Sequence, residues 1–467
     1  IQLQNIQVTY KDVTSKNDIG INLTNLETVV KTFDLQKNNY GVDFVEAKGL
    51  KLFFNQGLLS EITENVEKTV DSLSEGNPLN IAINRLDLQD FDVLYDDENS
   101  ATRAKIVFKE LSSDIKKLDL QKSDFQINNL FFKDAFVDVL LSPNSDAAKA
   151  VDKISDSSKV NTPTTESPLK VLLSKGVLDN VNVIYNNGIG QNLSKSFDSN
   201  HLNISKLNGT LKDISYGTDI SGTVEQVSFI ENSGFVLENL STKFKYGTTE
   251  TILDELNLKT PHTFLQRNLK LTYNNINDLS NNLGLVGVEA KLPQSKIGFK
   301  DVLWLAPNLR NSIPFKSYPN AILNVTAHVK GTVNDLLVQE FKLSGLDNLK
   351  VDASGTVKNA LDTDKLWVNL KVNDLTTSKR FINQIVPKNT LPSNTELPDN
   401  LSASGKLKGS LNDIYVDLGL QSSFGNAKIL GSFNQAVKNA EKYDLHASLA
   451  NFDVGKKKKK KDIGKVT

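Results

Sequence analysis

The chain of 467 residues contains no cysteine and no methionine, 2 tryptophans, 4 histidines and only 7% aromatic residues. Without cysteine there can be no disulfide, thiol nucleophile or Cys-based zinc site. His201, His262, His328 and His446 stand apart with no second ligand at a repeating spacing, and His328 and His446, on the polar faces of expected strands, read as solvated. No metal or cofactor is expected. Charge of one sign is also lacking: 54 Lys+Arg face 55 Asp+Glu, which argues against the concentrated basic surface of a nucleic-acid-binding protein. Six of the basic residues form one run, Lys456 to Lys461, so the rest of the chain is mildly acidic. No apolar stretch approaches the ~18–20 residues needed to span a bilayer, and no signal peptide stands at the start. The absence of any methionine leads us to expect an internal piece of a longer protein.

Catalytic signatures are missing as well. No phosphate loop, nucleophile elbow or zinc-hydrolase motif is present. Gly188-Ile189-Gly190 follows a strand pattern without completing a dinucleotide fingerprint, and Asp96-Asp97 falls in a turn. Asn-x-Ser/Thr triplets follow from an Asn- and Ser/Thr-rich composition. An enzyme is not expected.

What the sequence does contain is repetition. Leu3, Ile6, Val8 and Tyr10 return as Leu88, Phe91, Val93 and Tyr95, and again as Leu178, Val181, Val183 and Tyr185. In the C-terminal half, HVKGTVNDLLV (328–338) matches KLKGSLNDIYV (406–416), and the prolines Pro307 and Pro387 stand at the ends of similar segments. These matches divide the chain into repeat units at 1–76, 77–166, 167–297, 298–376 and 377–467. The first carries an amphipathic helix at 55–75, the second a polar loop at 142–166, and the last two each open on a short helix ending at its proline.

Strict apolar–polar alternation dominates each unit, the two-residue period of a strand with one buried face. One face carries Leu323, Val325, Ala327 and Val329, then Val351, then Leu366, Val368, Leu370 and Val372, then Ile414, Val416 and Leu418. Asn324, Thr326, His328, Lys330, Asn369 and Lys371 take the other. Turn chemistry (Asn187-Gly188, Asn334-Asp335, Asn412-Asp413) separates the runs. The fold class expected is mainly β, an antiparallel repeat sheet with few helices. Its apolar face is covered in one of three ways: a closed barrel, an ordinary sandwich core, or an elongated curled sheet whose dry face lines an open groove. Ala353, Gly355, Ala403, Gly405 and Gly431 on the dry face suggest room left unfilled, which favours the groove. The twelve apolar residues named above would line it.

The tracts Leu323 to Thr376 and Leu401 to Thr467, with GTVNDLLV, ASGTV and a closing NFDVGK…DIGKVT, resemble the AsmA-like superfamily, and most of all its TamB family in the Bacteroidota form. The opening IQVTYKD and its two echoes resemble the starts of that family's repeats. The resemblance implies a taco-shaped β-groove in the periplasm that bridges the inner and outer membranes and carries phospholipid. It also implies an N-terminal inner-membrane anchor and an Omp85-type outer-membrane barrel partner reached through a C-terminal region, both outside this chain. A scaffold for assembling outer-membrane β-barrels is the alternative function, and a filled β-solenoid stalk a third. The lysine run departs from the family pattern. It reads as a solvated charge run, as a contact with anionic lipid, or as a departure from the natural sequence.

Overall fold

A computed structural model describes residues 1–14, 16–36, 39–57, 80–98, 100–119, 122–142, 169–188, 195–362, 364–385, 396–437, 440–453 and 465–466. The helix expected at 55–75, the polar loop at 142–166, Pro387 and the lysine run at 456–461 lie wholly or almost wholly outside those residues. The chain forms two units, Ile1–Thr248 and Thr249–Thr467. Both are built of curled, open sheet with few helices, as the alternation requires. The division falls inside the repeat expected at 167–297.

The first unit contains β1 (Gln2–Asp12), β2 (Asn17–Asp34), β3 (Asn39–Gln56), β4 (Asn80–Asp97), β5 (Thr102–Asp119), β6 (Asp124–Leu140), β7 (Lys170–Asn186), β8 (His201–Tyr216), β9 (Ile220–Glu231) and β10 (Val236–Tyr246). Short polar turns join most neighbours. In the β5–β6 turn Asp119 accepts the Lys122 backbone N–H at 2.9 Å, and that bond holds its carboxyl below the usual range. Lys117 reaches Asp124 across the same turn at 2.5 Å.

Two junctions differ from the expected antiparallel pairing. β3 pairs with β4, and β6 with β7, in parallel. The reason is arithmetic: three strands form each repeat, so a meander that enters upward also leaves upward. The next repeat then begins beside a strand of its own direction, and such a pairing needs a crossover rather than a tight turn. The sequence between the strands at both junctions, 58–79 and 143–168, lies outside the described residues.

Each of β1 to β7 breaks its alternation in one common row. In that row the apolar neighbours Leu3/Ile6, Leu23/Leu26, Ala47/Leu50, Leu88/Phe91, Phe108/Leu111, Phe132/Ala135 and Leu178/Val181 are three apart instead of two. Because β1 to β7 take the extra residue in the same row, pairing resumes in register beyond it: Phe91 faces Phe108 and Leu88 faces Leu111. Asn5, Asp90, Asp134 and Asn180 occupy this row with φ between 47° and 55°. Asn and Asp tolerate that left-handed conformation better than other residues bearing a Cβ. The row is a crease along which the sheet bends, the role bulges have elsewhere.

The second unit contains β11 (Glu250–Lys259), β12 (Phe264–Thr272), β13 (Gly287–Gly298), β14 (Ile322–Thr332), β15 (Asp335–Ser344), β16 (Lys350–Lys358), β17 (Trp367–Ser378), β18 (Asn400–Ser410), β19 (Asp413–Ser422), β20 (Gly425–Asn434) and β21 (Lys442–Ala450). From β11 to β21 every neighbouring pair is antiparallel. A single turn, α1 (Asp278–Asn281), precedes β13; α2 (Phe299–Leu305) follows β13 and α3 (Lys379–Ile385) follows β17. α2 stops before Ala306-Pro307, as proline demands. A short pair, β22 (Phe452–Asp453) with β23 (Lys465–Val466), completes the described structure.

The apolar-face glycines do not leave room. Gly355 has φ +139°, and a Cβ there would lie 2.0 Å from the Asn369 carbonyl oxygen. Gly405, at φ +138°, meets the Asp417 carbonyl at the same distance, and Gly431 shares the conformation. The facing backbone occupies the side-chain position, so glycine is required by geometry.

Two substitutions test these readings by urea unfolding followed by circular dichroism. Asp90→Val is expected to cost about 1–2 kcal/mol through the left-handed φ, and Asp90→Gly to recover most of that loss. Gly355→Ala is expected to cost about 1–3 kcal/mol. Gly419→Ala, whose Cβ meets nothing nearer than 3.9 Å, should change stability little.

Candidate functional site: an apolar groove

Register converts the alternation into rows that run across the strands. In the second unit Ala290, Val329, Val338, Gly355, Leu370, Leu407, Val416, Gly431 and Leu445 face one another pair by pair from β13 to β21. A second row runs Leu292, Ala327, Phe341, Ala353, Val372, Gly405, Leu418, Ile429 and Ala447. Val357, Val368, Gly409 and Ile414 belong to a third. No charged residue interrupts these rows.

The expected lining residues therefore share one face, but not one environment. Ala327, Val329, Val351, Val368, Leu370, Val372, Ile414, Val416 and Leu418 are partly exposed along it. Leu366 sits in the turn before β17, one residue short of the strand. Leu323 and Val325 are closed over, at 9% and 7% exposure. They pack with Phe299 of α2, Phe381 of α3 and Leu346, with Phe315 and Tyr318 around them. The two helices plug the face at this end of the strands. Burial, reinforced by the Asp347 carboxylate, pushes the Tyr318 phenol up to about 12. The phenol thus remains a donor to Asp347 at 2.5 Å and ties the plug to the turn after β15.

The first unit carries the same design in longer strands. Val8, Ile21, Leu52, Val93, Ile106, Val137, Val183 and Ile204 form one unbroken row from β1 to β8. Leu3, Leu26, Ala47, Leu88, Leu111, Phe132, Leu178, Gly209, Val227 and Leu240 form another from β1 to β10. Burial peaks beside the crease, where Ala47, Phe91, Phe108, Ala135 and Val181 cluster. Phe91 stacks on Phe108 with ring centroids 5.1 Å apart, and Phe132 meets Phe108 edge-on at 5.4 Å. Away from the crease the same face is only partly covered. Burial is thus concentrated along a row of packed rings and falls away on either side of it.

In the second unit the strands pair charged residues on the opposite face. Lys330–Glu289, Lys358–Asp335 and Lys342–Glu340 pair there at 3.3, 3.8 and 2.7 Å, all well exposed, where such pairs add little stability. Two depressions are lined by residues of both faces. One of about 530 Å³ is lined by residues including Asn373, Asp374, Ser402, Gln421, Asn426 and Lys428. One of about 500 Å³ is lined by residues including Lys296, Asn324, Lys342, Lys350 and Asp352. Apolar-face residues also line both: Ala403, Leu420, Ala427 and Leu449 the first, and Val325, Leu343 and Val351 the second. Among the described residues no group of three or more His, Asp or Glu is placed to hold a metal ion.

Sequence reasoning missed the crease and the helical plug. The crease was signalled by apolar spacings of three within runs of two, and the plug by Phe299 and Phe381 in the first turn of the two helices. No family model, curated protein or solved structure matches the chain.

The packed row and the exposed edge are distinguished by mutation. Phe91→Ala removes a ring that is 8% exposed and is expected to cost about 3 kcal/mol in urea unfolding. Val8→Ala, in the same sheet but 47% exposed, should cost well under about 1 kcal/mol.

Proposed function

We propose that the apolar rows carry the acyl chains of phospholipid while the head groups stay in water. The observation that supports this reading is a set of charge-free apolar rows continuous from strand to strand within each unit, and left partly exposed where a filled core would bury them. Each methylene removed from water is stabilised by about 0.8 kcal/mol, so a 16-carbon tail gains on the order of 12 kcal/mol. One row resembles the next, so the well is nearly uniform along the groove and favours sliding over trapping. The resemblance to AsmA-like repeats, TamB above all, extends the reading: a non-enzymatic bridge in the periplasm between inner and outer membranes, with an Omp85-type barrel protein as its outer partner. The exposed apolar residues of β21, Tyr443 at 72% and Leu445 at 49%, favour a second reading as a scaffold that receives β-strands of outer-membrane proteins.

The test is mass spectrometry of lipid extracted from the purified chain. Leu370→Lys combined with Val416→Lys, on the apolar rows, is expected to reduce bound phospholipid about tenfold or more, since a lysine there has no partner within the row. Asn369→Lys combined with Gln421→Lys, on the polar face, should leave it unchanged. Equal retention by both pairs would reject the groove as a lipid carrier. Capture of unfolded barrel strands without lipid would favour the scaffold.

A further inference from the structure

We propose that the outer edge of β1 is a docking site for a strand running parallel to it and carrying the pattern of β3 and β6. The argument is internal to the first unit and does not rest on lipid binding. β1, β4 and β7 are equivalent strands: Leu3, Ile6, Val8 and Tyr10 correspond to Leu88, Phe91, Val93 and Tyr95, and to Leu178, Val181, Val183 and Tyr185. The equivalence extends to the backbone, because Asn5, Asp90 and Asn180 share φ values of 54–55°. On one side all three strands pair antiparallel with the next strand of their own repeat. On the other side β4 pairs in parallel with β3, and β7 with β6. Among the described residues β1 has no strand on that side.

Its side chains show the consequence. Leu3, Val8 and Tyr10 are 44%, 47% and 50% exposed, whereas the matching residues of β4 and β7 are only partly exposed. An unpaired edge with alternating apolar residues is a template for strand addition. Because β1 already has the left-handed kink at Asn5, an occupant must bend at the same row. β3 and β6 do so at Gly49 and Asp134.

The two existing junctions dictate the register. Lys48 faces Gln89 and Lys51 faces Asp92 across β3–β4. Transferred to β1, a strand with the β3 sequence sets Lys48 opposite Gln4 and Lys51 opposite Gln7. A synthetic peptide with the sequence of residues 39–56, added to the purified chain, tests this directly. Since the chain has no cysteine, single cysteines report the pairing by disulfide formation. Gln4→Cys with Lys48→Cys in the peptide, and Gln7→Cys with Lys51→Cys, are expected to crosslink about tenfold more than the exchanged combinations, because a disulfide demands closely apposed Cβ atoms. Antiparallel docking would instead favour Gln4→Cys with Lys51→Cys. Val8→Lys should weaken peptide binding about tenfold, with the circular dichroism spectrum unchanged. The proposal fails if the exchanged combinations crosslink as well or better, or if no crosslink forms. It fails equally if a cysteine on the polar face of β21 captures the peptide as efficiently, or if β1 is occupied by a second copy of the chain before the peptide is added.

Discussion

Everything in the first unit depends on keeping one apolar face continuous through a bend. A strand shows its side chains alternately to two faces, so a one-residue slip would turn every apolar group outward. The sheet nevertheless inserts one extra residue into strand after strand. It escapes the penalty because the insertions fall in a single row, where each strand compensates its neighbour. Phe91 and Phe108 stay opposed on one side of that row, and Leu88 and Leu111 on the other. The left-handed residues at Asn5, Asp90, Asp134 and Asn180 are the local cost of the arrangement. The buried cluster formed by Ala47, Phe108, Ala135 and Val181 is the return.

The second unit shapes its apolar face by different means. Glycines with positive φ let facing backbones approach closely, and two short helices supply the apolar mass that strands alone do not. Where Phe299 and Phe381 pack, Leu323 and Val325 disappear from solvent. Beyond the plug, Leu370, Val416 and their row neighbours stay partly exposed. Stability there comes from pairing and cross-strand apolar contacts in long rows, each contact modest and the sum large. A sheet built this way keeps an accessible apolar surface without a closed core. That is the physical basis for reading it as a surface for acyl chains.

Much of the fold was legible because its signals are local. The two-residue period marked the strands, the repeated Leu–x–x–Ile–x–Val–x–Tyr pattern marked equivalent strands, and Pro307 marked the end of α2. The shared face of the strand residues from Val329 to Leu418 was legible for the same reason, since parity along a strand assigns the face. The parallel junctions were not legible, because which strand lies beside β4 depends on how many strands precede it and not on the residues of β4. Gly355 and Gly405 were misread as spacers: a glycine in a strand looks the same in sequence whether a ligand or a carbonyl oxygen occupies the place of its side chain. Leu323 and Val325 were placed on the correct face and lost to it only because two helices distant in sequence converge upon them.

The amino-acid sequence by itself determined the strands, their repetition and the segregation of apolar from charged residues, since these follow from backbone geometry and hydrophobicity over a few neighbouring positions. Only the tertiary structure decided where the face bends, which part is plugged and which edge stays unpaired. Those properties belong to rows of residues drawn from many strands, and no single strand contains a row.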